Sequence, residues 1–126
     1  MIPTSFIDYK QHLSLARRLH SEAVALTAER YVMHHRLALD RDEVRLACLY
    51  HDLCREWKLD ALLQYTEQKN LMVSEEERRT PVLLHGPVAA HLLKKAGFSP
   101  AVTTAIRHHS LGSPEMGLLG VVLYIA

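Results

Sequence analysis

The punctuation of helical segments constrains this chain more than any other feature. From position 8 onward apolar residues recur at three- and four-residue steps, and no stretch alternates as a half-buried strand would. The breaks carry helix-end chemistry: Asp40 and Asp42 are alternative caps before Val44, Gly97 follows a run ending at Lys95, and Ser99-Pro100 opens the next segment. The spacing predicts a helix from Asp8 to about Met33, with Leu13, Ala16, Leu19, Ala23, Leu26 and Arg30 in register. Ser21 is an alternative cap at which this helix would divide in two. In the next helix Val44, Ala47, Cys48 and His51 share a face, and between Asp60 and Lys69 a short amphipathic helix turns Leu59, Leu62, Leu63 and Tyr65 inward.

The polar stretch 70–79, with Glu75-Glu76-Glu77, reads as a solvated loop. Pro81 suits the first turn of a helix running to Lys95, with an irregular start at His85-Gly86-Pro87. Another helix runs from Ser99-Pro100 to about His109, and after a loop over 110–114 an apolar helix begins near Glu115. The expected fold is an all-α bundle of six to seven helices, forming one domain over 1–126 with no internal repeat.

A chain of 126 residues with net charge +1 has room for a single core and lacks the basic excess of an electrostatic nucleic-acid binder. No apolar run approaches the roughly 20 residues of a membrane span, and Met1-Ile2-Pro3-Thr4-Ser5 lacks the pattern of a signal peptide. Cys48 and Cys54 form no CxxC motif and read as buried, reduced thiols, so the expected compartment is the cytoplasm.

Nine histidines stand against roughly two to three at ordinary usage. His51-Asp52 is the most informative pair, because imidazole and carboxylate are both ligands of first-row metals. His20, His85 and His109 sit on separate predicted helices or their edges, each near apolar neighbours. Burying one such ring requires only a hydrogen-bond partner. Burying four beside Asp52 points to a metal site in the bundle core. His12, His34, His35 and His91 lie in polar or surface contexts and are expected to face solvent.

The order His20, His51-Asp52, His85, His109 resembles the HD superfamily of metal-dependent phosphohydrolases. Arg17-Arg18-Leu19-His20-Ser21, His51-Asp52-Leu53-Cys54-Arg55-Glu56, residues Pro81 to Val88 with His85-Gly86-Pro87, Ala105-Ile106-Arg107-His108-His109-Ser110 and Leu123-Tyr124-Ile125-Ala126 are similar to its YqeK-type branch. That branch cleaves diadenosine tetraphosphate symmetrically to two ADP at a di-iron centre. The resemblance implies an HD-domain bundle in which His20, His51, Asp52, His85 and His109 ligate metal, His51 and Asp52 are catalytic, and Asp52 bridges two ions. Two divalent or mixed-valence ions are implied, iron first, with manganese or zinc as alternatives. Arg17, Arg55, Ser110 and Gly112 match positions near the polyphosphate.

A nucleotide is thus the expected partner, with neither nucleic acid nor membrane, and a homodimer is an open alternative for the apolar last helix. The family pattern closes with a second Asp directly after the segment matching Tyr124-Ile125-Ala126, so a truncated domain with one incomplete metal site is expected. Two rival functions stay open: a nucleotide-binding module without turnover, and a phosphohydrolase acting on another nucleotide.

Overall fold

Side chains that cap backbone N–H groups set most of the helix starts in the computed structural model, which describes residues 7–126. The N-terminal segment read above for a signal peptide lies outside the described residues. Asp8 caps α1 (Tyr9–His12), and Ser14 accepts from the Arg17 N–H to start α2 (Leu15–His34). Asp40, rather than Asp42, caps α3 (Arg41–Tyr50). α4 (Leu59–Gln68) follows, then α5 (Glu75–Arg79), a 3-10 turn (Pro81–Leu84), α6 (His85–Lys95), α7 (Pro100–Arg107) and α8 (Gly117–Ile125). Each good cap contributes about 1 kcal/mol. Among the described residues the fold is all-α, with eight α-helices.

Two short helices raise the count above the six or seven expected. The first break falls at Leu13-Ser14, not at Ser21, through which α2 runs unbroken. Stretch 70–79 is not a plain loop. Ser74 and Glu77 form a reciprocal capping box that starts α5, and Glu77 is buried while Glu75 and Glu76 are exposed. At the irregular start expected around His85, the backbone changes from 3-10 to α geometry.

The inward face of α2 also differs from the expected stripe. Leu13 is buried just before the helix, but Ala16, Leu19, Ala23, Leu26 and Arg30 are exposed; Ser21, Ala25, Ala28 and Val32 face inward. Leucine and alanine occur on several faces of this helix, so spacing alone does not choose among them. The small-residue face lets α2 pack closely along α3, its most extensive neighbour. On α4, Leu62 is fully buried, whereas Leu59 is exposed and Leu63 and Tyr65 are half-buried.

The core is built from Val44, Ala47 and Cys48 of α3, Leu84, Val88 and Leu93 around α6, Val102 and Ile106 of α7, and Leu119 and Val122 of α8. Cys48 and Cys54 are free and buried, and burial pushes both thiols up to about 12. Among the described residues no helix is long and apolar enough to cross a membrane. α7 packs against both α3 and α6, and the ends of these three helices carry His51, His85 and His109, while His20 comes from α2.

Candidate metal centre

Asp52 is the meeting point of four chain segments. It follows α3 in a turn secured by Leu53 N–H to Tyr50 O (3.1 Å) and Arg55 N–H to Asp52 O (2.9 Å). Its carboxylate is buried. Oδ2 lies 3.6 Å from His20 Nε2, 3.5 Å from His51 Nε2 and 3.2 Å from Arg17 Nη1. Oδ1 lies 3.4 Å from His85 Nε2 and 3.8 Å from His109 Nε2. Two sets of donors, His20-His51-Asp52 and Asp52-His85-His109, therefore share one carboxylate, with the ligand atoms of each set within 4.8 Å of one another.

Backbone carbonyls three residues upstream orient three of these rings. His51 Nδ1 lies 2.6 Å from Cys48 O, His85 Nδ1 2.5 Å from Val82 O, and His109 Nδ1 2.7 Å from Ile106 O. A carbonyl only accepts, so each Nδ1 carries the proton and each Nε2 turns a lone pair toward Asp52. His85 Nε2 and His109 Nε2 approach to 3.0 Å.

Such a centre is made almost entirely of acceptors, and it calls for a cation or for extra protons. Burial opposes protonation of His51, pushing its pKa down to about 4 despite the attraction of Asp52. Burial alone would raise the Asp52 carboxyl; hydrogen bonds from His109 and His85, and the fields of His51 and His85, when these rings carry a second proton, outweigh it and hold the group well below the usual carboxylate range. The nitrogen and carboxylate donor set suits iron, manganese or zinc. His85 Nε2 and His109 Nε2, 3.0 Å apart, stand close enough to serve one ion. These residues fit a metal.

Gly86 makes room for this arrangement. A Cβ there would stand 3.0 Å from Ile106 O, 3.2 Å from Arg107 O and 3.4 Å from His109 Nδ1. His108, half-buried, is not among the clustered histidines; His109 is. His12, His34 and His35 are exposed as expected, whereas His91 is half-buried and shares a 2.7 Å hydrogen bond with the Tyr65 hydroxyl. Its position on the inner edge of α6, beside an aromatic ring, overrides the polar sequence context.

Of the four residues expected near a substrate, Arg17 lies against Asp52 itself, and Arg55 is half-buried in the turn after it. Ser110 Oγ is 3.4 Å from His109 Nε2. Gly112 has φ +76, and its N–H donates to His108 O at 2.8 Å. Ser110 and Gly112 line a cavity of about 200 Å³ with Glu77 and Arg107.

Glu56, which carries no role in the resemblance, accepts from the Ser14 N–H at 2.8 Å and ties the start of α2 to the Asp52 turn. Glu77, expected in a solvated loop, instead pairs with Arg107, and the Ser74-x-x-Glu77 spacing is the capping-box signal that marks it.

The family model described as HD domain matches residues 17–126. The chain is 30% identical over 119 residues to a symmetrical bis(5'-nucleosyl)-tetraphosphatase of Bacillus subtilis (strain 168), covering 93% of this chain and 62% of that protein. It is also similar to the crystal structure of a predicted HD superfamily hydrolase involved in NAD metabolism from Clostridium acetobutylicum, with TM-score 0.84 and 30% identity over 94% of this chain and 63% of that one. The chain thus spans a little under two thirds of the length of either relative. With a family model matched over most of its length and the histidines and Asp52 gathered at one point, the chain belongs to the HD domain family.

Proposed function

We propose that this chain carries the metal centre of a phosphohydrolase that cleaves a dinucleoside polyphosphate, with diadenosine tetraphosphate and one water giving two ADP. The observation that carries the reading is the pair of donor sets sharing Asp52, in which three histidines have Nδ1 committed to backbone carbonyls and Nε2 turned to the centre. The 30% identical relative named as a symmetrical tetraphosphatase supports the substrate class.

His20 and His51 would hold one ion, His85 and His109 the other, and Asp52 would bridge them, with iron favoured and manganese or zinc also compatible. When bound, such a pair supplies Lewis acidity, making water nucleophilic near neutral pH and offsetting charge on phosphate oxygens. The chain's own residues do the rest. The Asp52 carboxylate and the rings of His51 and His85 are buried and would keep the donors oriented without reorganisation, while the exposed His20 leaves one side of the centre open to solvent. Arg17, beside Asp52, and Arg55, in the turn after it, would form charge-assisted bonds to flanking phosphates, and Ser110 and Gly112 would meet the substrate from the cavity they line. We place this activity in the cytoplasm, with a nucleotide as partner and self-association through α8 as a secondary proposal that sedimentation velocity tests.

Product analysis tests the function. Two ADP from diadenosine tetraphosphate is the expected result, and AMP plus ATP would mean cleavage at a different bond. Full turnover by a chelated, metal-free preparation would refute the metal-dependent mechanism. Calorimetric nucleotide binding with no turnover under any added metal would favour the alternative, a binding module without catalysis.

A further inference from the structure

His109 lies beyond the regular end of α7, where the backbone is weakly held by its own hydrogen bonds. The His108 N–H to Thr104 O distance is 3.3 Å and the His109 N–H to Ile106 O distance is 3.4 Å, at the long end of the range for such bonds. A single guanidinium grips this turn from outside. Arg107 Nη1 donates to Glu77 Oε2 at 2.9 Å, while Nη2 donates to Glu77 Oε1 at 3.2 Å and to Met72 O at 3.1 Å. The same Glu77 carboxylate accepts from the Ser74 N–H at 2.8 Å and closes the capping box of α5. The Glu77 side chain is only 5% exposed, so its charge depends on Arg107.

We infer that the Arg107–Glu77 pair is a positioning device for His109. By fastening the end of α7 to the capped start of α5, it holds the Ile106 carbonyl where it accepts a hydrogen bond from His109 Nδ1–H and leaves Nε2 facing Asp52. Planar, bidentate geometry suits this task, because it fixes the direction of the turn as well as its distance, which a lysine point charge does not. Gly86 of α6 lies close to the Ile106 and Arg107 carbonyls, 3.0 and 3.2 Å from where a Cβ would stand. The turn thus meets α5 through Arg107 and α6 through Gly86. The inference rests on reading His109 as a metal ligand, and the test separates the two.

The variants are Glu77→Gln and Arg107→Lys, with Glu75→Gln as a control that breaks the exposed Arg79–Glu75 pair on the same helix. The first readout is the tautomer of His109 in metal-free protein at pH 7.5, from long-range proton–nitrogen correlation of the ring. Wild type and Glu75→Gln should show the single Nδ1–H form, and the other two variants a mixture. The second is Co²⁺ affinity followed by visible absorption, expected to fall about tenfold in Glu77→Gln and Arg107→Lys, the lower end for losing an outer-shell partner. Lower melting temperatures with the His109 tautomer and cobalt affinity unchanged would overturn the inference and leave the pair a structural brace. Should Glu77→Gln fail to fold, Arg107→Lys retains the charge and supplies both readouts. Wild-type protein that binds no cobalt would sink the metal reading, while the tautomer data would still decide the positioning role.

Discussion

Replacing Gly86 with alanine adds one methyl group between α6 and the end of α7. Its nearest neighbours would be the carbonyl oxygens of Ile106 at 3.0 Å and Arg107 at 3.2 Å, backbone atoms that cannot swing aside as the tip of a side chain would. Two effects compete. Alanine favours the helix by at most about 1 kcal/mol over glycine, less near the first turn where Gly86 sits. Overpacking a buried site costs about 1–3 kcal/mol. The net expectation is a loss of about 1–2 kcal/mol, lowering the melting temperature by roughly 3–8 °C for a domain of this size. Relief of the clash moves the Ile106 carbonyl, the acceptor for His109 Nδ1, so cobalt affinity should fall about tenfold as well. Thermal melts in chelator and cobalt titrations measure the two effects separately. A Gly86→Ala protein that melts at or above wild type and binds cobalt equally well would refute the reasoning about this close approach.

Cys48 and Cys54, with thiols pushed up to about 12 by burial, should not react with Ellman's reagent at pH 8 in the folded protein, and two thiols should appear in denaturant. Leu62→Ala should cost about 2–5 kcal/mol in urea unfolding, while Leu59→Ala should stay within about 0.5 kcal/mol, since Leu62 is fully buried and Leu59 is 48% exposed. Burial and the nearby Lys95, Lys69 and Lys94 lower the pKa of His91 below its unfolded value of about 6.5. Its neutral form therefore favours the folded state above that pH, and stability is lost as pH falls through the lowered value. His91→Gln should flatten this part of the melting-temperature profile between pH 7 and 5, and an unchanged slope would assign it to other groups.

Local chemistry made much of the bundle legible in the sequence. Asp40, Pro81 and Ser99-Pro100 mark helix starts because each satisfies or removes an orphan N–H, and the Val44, Ala47, Cys48, His51 face is buried as its spacing predicts. The face of α2 was not legible. Leu19, Ala23, Leu26 and Arg30 recur at the same steps as Ser21, Ala25, Ala28 and Val32, and only the approach of α3 distinguishes the two faces. The gathering of His20, His51, Asp52, His85 and His109 could be anticipated from their order, since four apolar-flanked rings on separate helices have few other places to go. What holds them is tertiary. The Glu77–Arg107 clamp spans 30 residues, and the Glu56–Ser14 tie spans 42. Glu77 also sits within an acidic run whose other two members are exposed, so charge patterning concealed it.

Metal stoichiometry across four proteins tests the shared role of Asp52 most directly. Wild type, His20→Ala, His85→Ala and Asp52→Ala would each be loaded with Mn²⁺, desalted and analysed for metal per chain, with far-UV circular dichroism to verify folding. The account predicts bound metal in wild type, less in each histidine variant and none in Asp52→Ala, because both donor sets depend on that carboxylate. A folded Asp52→Ala protein that retains wild-type metal content would contradict it.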